Sequence, residues 1–124
     1  MTGGRLLVVD DEPGFGEFVR KVGVKLGYEV AVTTSGREFM RRYDAFGPNV
    51  VVLDVVMPEI DGVELVQWLA DRGADAHLVV VTGYTPDYAM LTKKLAEAKG
   101  LRSVVTLTKP VRLAALQKAL TPAD

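Results

Sequence analysis

The stretch "VVLDVVMPEIDG", Val51–Gly62, decides the fold. It opens as an apolar, β-branched run, breaks at Asp54, and passes through Pro58 to the helix start Asp61-Gly62. A carboxylate at the end of a buried strand is costly unless it has partners or a task. The segments on either side show what that task is.

Similar runs recur outward from this one: Arg5–Asp10, Glu29–Thr34, Asn49–Asp54 itself, His77–Thr82 and Ser103–Thr108. Four of the five carry consecutive apolar residues, the pattern of strands covered on both faces. Helical spacing fills the gaps. Phe15, Phe18, Val19, Val22 and Leu26 share one stripe, entered through Pro13 and closed by Gly27. Ser35 with Glu38, and Asp61 with Glu64, read as capping boxes. A fourth helix is expected over Asp87–Lys99 and a fifth from Pro110 through Leu120. Five βα units joined by right-handed crossovers give an α/β fold, a doubly wound parallel sheet with helices on both faces.

With 124 residues the chain is read as a single domain, residues 1–124 with a core at about 5–120. A net charge of −1 supplies no excess of cations for gripping nucleic acid. The absence of cysteine excludes disulfides, thiolate metal sites and cysteine nucleophiles. Apolar runs such as Leu78–Val81 are too short to span a bilayer, and "MTGGRLL" is not a secretory leader. A cytoplasmic protein without membrane attachment is expected.

In an open parallel sheet, ligands bind outside the carboxyl ends of the strands, near the topological switch point. Those ends are Asp10-Asp11-Glu12, Asp54, Thr82-Gly83 and Thr108-Lys109-Pro110. With strand order 2-1-3-4-5, the flavodoxin-like arrangement, they fall on adjacent strands. Asp10, Asp11 and Asp54 brought together would repel one another, and a hard divalent cation relieves that repulsion. Mg²⁺ suits carboxylates shared with waters and a phosphate oxygen. Asp54 can then act as a nucleophile toward phosphorus, with Lys109 and the Thr82 hydroxyl offsetting charge on the phosphoryl oxygens.

The chain resembles the receiver domain of bacterial two-component response regulators. The matching pieces are "VVDDEPG" (Val8–Gly14), "VVLDVVMPEIDG", "VVVTGYT" (Val79–Thr85) and "TKP" (Thr108–Pro110), in family order. The resemblance implies that Asp54 is the phosphoacceptor. It implies that Asp11 binds Mg²⁺ directly, Asp10 through a water, and Val56 through its backbone carbonyl. Thr82 becomes the switch residue, Lys109 the phosphoryl partner, and Lys109–Pro110 a cis peptide. The donor becomes a sensor histidine kinase or a histidine phosphotransfer protein, with small acyl phosphates as substitutes. A downstream protein is expected on the face made by the fourth helix, fifth strand and fifth helix. With the sequence given stopping shortly after the fifth helix, either a stand-alone domain without an output domain or a piece of a longer protein is expected, monomeric or weakly dimeric.

Three departures fall in the signalling region. Thr106 stands where receivers usually carry an aromatic residue, Gly83 where alanine is commoner, and the segment between Thr82 and Lys109 is a few residues longer than usual. Tyr84 or Tyr88 is a candidate for the aromatic role. Val56 and Tyr84 are expected to hinder attacking water and prolong the phosphorylated state. Two other readings remain: a degenerate receiver that binds partners without phosphorylation, and a Mg²⁺-dependent phosphohydrolase with an aspartate nucleophile. The second usually carries another acid two residues after the nucleophile, where this chain has Val56. His77 is expected at a surface or strand edge, and Trp68 and Met90 in packing roles.

Overall fold

The structure, a computed structural model, describes residues 4–83, 86–101 and 103–121, without the side chains of Pro86 and Tyr88. Strands β1 (Arg5–Val9), β2 (Glu29–Thr33), β3 (Val50–Asp54), β4 (His77–Thr82) and β5 (Val104–Thr108) alternate with helices α1 (Pro13–Lys25), α2 (Gly36–Phe46), α3 (Gly62–Asp71), α4 (Pro86–Ala98) and α5 (Leu113–Ala119). All strand pairs are parallel and the order is β2-β1-β3-β4-β5, as the sequence predicts. No helix among the described residues is long and apolar enough to cross a membrane.

Burial follows position in the sheet. β3 and β4 are buried along their whole length, whereas the edge strands β2 and β5 are only partly covered. Alternate residues feed two cores. Leu7, Val51, Leu53 and Val80 pack with Phe39 of α2, Leu65 of α3 and Ala96 of α4. Leu6, Val8, Val52 and Val81 pack with Val19 of α1 and Leu116 of α5 on the other face. Each fully buried leucine or phenylalanine contributes about 2 kcal/mol by removal from water.

The capping residues act as the sequence predicts. The Ser35 and Asp61 side chains accept the backbone N–H groups of Glu38 and Glu64. The return arm at Ser35 is shifted by one residue, because the Glu38 carboxylate takes the Thr34 N–H. Gly27, at φ 94°, follows the α1 C-cap, a backbone shape that favours glycine.

Three local features differ from expectation. α5 begins at Leu113, not Pro110, because Arg112 is still extended at φ −79°, ψ 149°. Met90 is exposed on α4, since Ala89, Thr92 and Ala96 take its buried face. His77 is buried, with Nε2 donating to the Ala119 carbonyl at 2.9 Å and Nδ1 facing the Ser103 hydroxyl at 2.5 Å. Tyr28 donates its hydroxyl to the neighbouring Leu120 carbonyl, so two side chains from outside the helix hold the end of α5. Trp68 packs as expected, edge-on to Tyr43 and beneath Arg72.

Candidate functional site

The backbone places the acids before any side chain does. β1 hands Asp10 to the carboxyl edge of the sheet, where its N–H bonds the Thr33 carbonyl. Asp10 Oδ1 accepts the Glu12 N–H at 2.8 Å, which folds the next two residues back over the edge. Asp54 ends β3 opposite Val81 of β4, and its Oδ1 accepts the Val56 N–H at 3.2 Å. The loop after it is held by the Gly62 N–H on the Val55 carbonyl at 2.8 Å. Glycine is needed there, because a Cβ on Gly62 would lie 2.5 Å from Val55 Cα and 2.8 Å from the Asp54 carbonyl oxygen. Across the sheet, the Lys109 N–H bonds the Thr82 carbonyl, fixing the end of β5 against β4.

These ends frame a cleft of about 480 Å³ lined by Asp11, Glu12, Asp54, Val56, Met57, Pro58, Gly83 and Lys109. Lys109 crosses it. Its Nζ lies 2.9 Å from Asp10 Oδ2 and 3.7 Å from Asp54 Oδ2, contacts Glu12, and sits 4.6 Å from the centre of the Phe15 ring. Asp10 Oδ2 is buried, and the Lys109 ammonium 2.9 Å away is the charge that meets it, as an ion pair. Thr82 is fully buried at the end of β4, and Gly83 forms the adjoining wall.

Burial and crowding dominate the electrostatics. The Asp54 carboxyl is pushed up to about 6, first by desolvation and then by the Asp10 charge, against the pull of Lys109. Burial also raises Asp10, opposed by the Glu12 N–H and Lys109. Desolvation works against the Lys109 charge, but Glu12, Asp10 and Asp54 outweigh it and hold the ammonium above its ordinary range.

Carboxylate oxygens of Asp10, Glu12 and Asp54 lie within 4.8 Å of one another, close enough to share a cation. The clustered carboxylates, with Asp10 Oδ2 balanced only by the Lys109 ammonium, are hard oxygen donors that fit a small divalent ion. Asp11, the expected direct ligand, is exposed and lines the same cleft without joining this cluster. Glu12 is the residue that the sequence does not single out. Its only signal there is adjacency, since it reaches the site through the turn that the Asp10 carboxylate makes. Phe15, a member of the helical stripe, also supports Lys109. The Lys109–Pro110 peptide is cis, as expected. Thr106 pairs with Val80 in the sheet and is partly buried. Gly83 has room for a methyl group, its nearest neighbour being Lys109 Cδ at 3.8 Å. Tyr84 and the Tyr88 side chain lie outside the described residues, and with them the expected aromatic replacement.

Residues 6–121 match the response regulator receiver domain. The chain is 34% identical over 122 residues to the positive alginate biosynthesis regulatory protein of Pseudomonas aeruginosa, covering 96% of this chain and 46% of that protein. It is 33% identical over 79 residues to chemotaxis protein CheY of Thermotoga maritima, covering 63% of this chain and 66% of that one. The chain therefore spans less than two thirds of these curated relatives. A solved response regulator from Colwellia psychrerythraea superposes with a TM-score of 0.79 at 26% identity, over 94% of this chain and 93% of that one.

Proposed function

The chain belongs to the response regulator receiver domain family, and from that membership we propose that it is the phosphoacceptor switch of a two-component phosphorelay, with Asp54 as the acceptor. The observation that carries this reading is the convergence of β1, β3 and β5 ends: Asp54 Oδ2, Asp10 Oδ2 and Lys109 Nζ meet at 2.9–3.7 Å in a cleft open to a donor.

Asp54 attacks phosphorus as the P–N bond of a phosphohistidine breaks, and the bonding pair returns to the imidazole. The product is an acyl phosphate on Asp54. The Val56 N–H on Oδ1 orients the carboxylate, and Oδ2 is the oxygen on the Lys109 side. Lys109 offsets charge on the transferred group, while Gly83 and the Thr82 end of β4 border the space it enters. Asp10, Asp54 and Glu12, with Asp11 and Val56 on the cleft wall, would hold Mg²⁺, which when bound supplies charge neutralisation for an incoming phosphoryl oxygen. The protein then catalyses its own phosphorylation and dephosphorylation and acts by docking through α4, β5 and α5.

Incubation with acetyl phosphate and Mg²⁺, followed by intact mass, tests the reading. One phosphoryl adduct, lost in Asp54→Asn and lost without metal, supports it. No adduct from either acetyl phosphate or a phosphorylated kinase leaves the phosphorylation-independent module as the better account.

A further inference from the structure

β5 is the last strand of the sheet, and a groove of about 570 Å³ runs between it and α5. Val104, Val105, Thr106 and Leu107 form one wall, Ala115 and Ala119 the other, and Lys118 brings a full positive charge to the lining. The two helices that contact β5 also expose apolar side chains. Four large hydrophobic residues are exposed among the described residues, and three of them, Met90, Leu91 and Leu113, are on α4 and α5.

Charge separates along the chain in the same direction. Residues 86–121 contain seven lysines and arginines against two acids, Asp87 and Glu97, whereas residues 1–85 contain eight against thirteen. Lys109 is spent on the acid cleft. Lys93, Lys94, Lys99, Arg112 and Lys118 have no ion pair among the described residues. A near-neutral protein has thus gathered unpaired cations on the elements that flank and follow β4, and Lys118 among them lines an open, largely apolar groove.

From this juxtaposition we infer that the β5–α5 groove receives an acidic peptide segment of a partner protein, whose apolar side chains seat against Leu107 and Ala119 while its carboxylates pair with Lys118 and Arg112. This rests on the reading of α4, β5 and α5 as the output face and names the chemistry of what docks there. The remaining cations of α4 add a long-range field that steers an acidic partner and rejects a basic one. A second copy meeting face to face would oppose like charges. A nucleic acid would use the cations but leave the apolar groove unfilled.

The test is an NMR titration of the ¹⁵N-labelled protein with two short synthetic peptides that share their leucines, one with glutamate and aspartate elsewhere and the other with lysine and arginine. The acidic peptide is expected to shift the amides of residues 104–107 and 113–121. Raising the salt from about 0.05 to 0.5 M, which shortens the reach of the charges, weakens its binding at least about tenfold. Lys118→Glu weakens it to a similar extent and leaves the acetyl phosphate adduct unchanged. Equal response to both peptides, shifts confined to other elements, no shifts, self-association through these residues, or the same shifts from duplex DNA would each overturn the inference. The mass of each sample after acetyl phosphate is read separately. An adduct without a peptide response overturns the groove assignment alone, and a peptide response without an adduct from either acetyl phosphate or a phosphorylated kinase overturns the phosphoacceptor reading alone.

Discussion

Lys109 Nζ stands 2.9 Å from the buried Oδ2 of Asp10, nearer than it stands to Asp54 at 3.7 Å. The lysine therefore serves two ends of the sheet at once. It offsets carboxylates that would otherwise repel one another, and it is within reach of the proposed acceptor.

Removing that cation leaves Asp10, Glu12 and Asp54 facing one another. Lys109→Met is expected to lose about 2 kcal/mol at pH 8 in EDTA, less than the ~3–5 kcal/mol of a sealed buried pair because the cleft opens to water. The loss should shrink at pH 5, where the Asp54 carboxyl, pushed up to about 6, takes up its proton. Urea unfolding at the two pH values checks it, and equal stability of variant and wild type at pH 8 would contradict it.

Asp54 carries a penalty of its own. Its carboxyl moves from 3.8 to about 6 on folding, first through burial and then through Asp10. A carboxyl that holds its proton more tightly when folded adds stability that is fully present below 3.8 and lost as the pH rises through about 6. In EDTA at pH 8, Asp54→Asn should therefore be more stable than wild type, by up to ~3 kcal/mol, with little difference at pH 4. Mg²⁺ should narrow the gap at pH 8 by stabilising the wild type, and should act weakly below pH 6. Parallel stability curves for the two proteins would rule this out.

Three glycines make a graded test of the backbone. Gly62→Ala pushes a methyl group into Val55 and the Asp54 carbonyl, and overpacking of this kind costs about 1–3 kcal/mol. It should also slow phosphorylation, since the displaced backbone carries Asp54. A methyl group on Gly14, in α1, would meet nothing within 4 Å, so Gly14→Ala should gain up to ~1 kcal/mol of helix propensity. Gly83→Ala should be tolerated. Thermal unfolding with initial phosphorylation rates separates the three.

The end of α5 depends on two distant donors. Tyr28→Phe removes the bond to Leu120 and should cost about 1 kcal/mol. His77→Leu leaves the buried Ala119 carbonyl unpaired and should cost about 1–3 kcal/mol. Amide exchange should rise first in residues 116–121, and unchanged protection there would refute the anchoring role.

The sheet is legible in the sequence because its signal is local. Consecutive β-branched residues announce β3 and β4, and the acids at the strand ends mark the cleft. Asp10, Asp54 and Lys109 can be brought together from strand order alone. The misreadings concern residues whose roles are set by distant contacts. His77 does open β4, but the surface or strand-edge place expected for it fails, because α5 covers the ring and supplies the Ala119 carbonyl it caps. Pro110 looks like a helix start, but the extended backbone at Arg112 delays α5 to Leu113. Glu12 gives no periodic signal, because its approach to Lys109 depends on a turn closed by the Asp10 carboxylate.

The most direct measurement is the position of the phosphoryl group. Protein treated with acetyl phosphate and Mg²⁺ is reduced with borohydride, which converts an aspartyl phosphate to homoserine, and its peptides are sequenced by mass spectrometry. The account predicts homoserine at position 54 and nowhere else, and none after omission of the metal. Reduction at Asp10 or Asp11 instead, or a phosphate retained on a hydroxyl side chain or on His77, would contradict it.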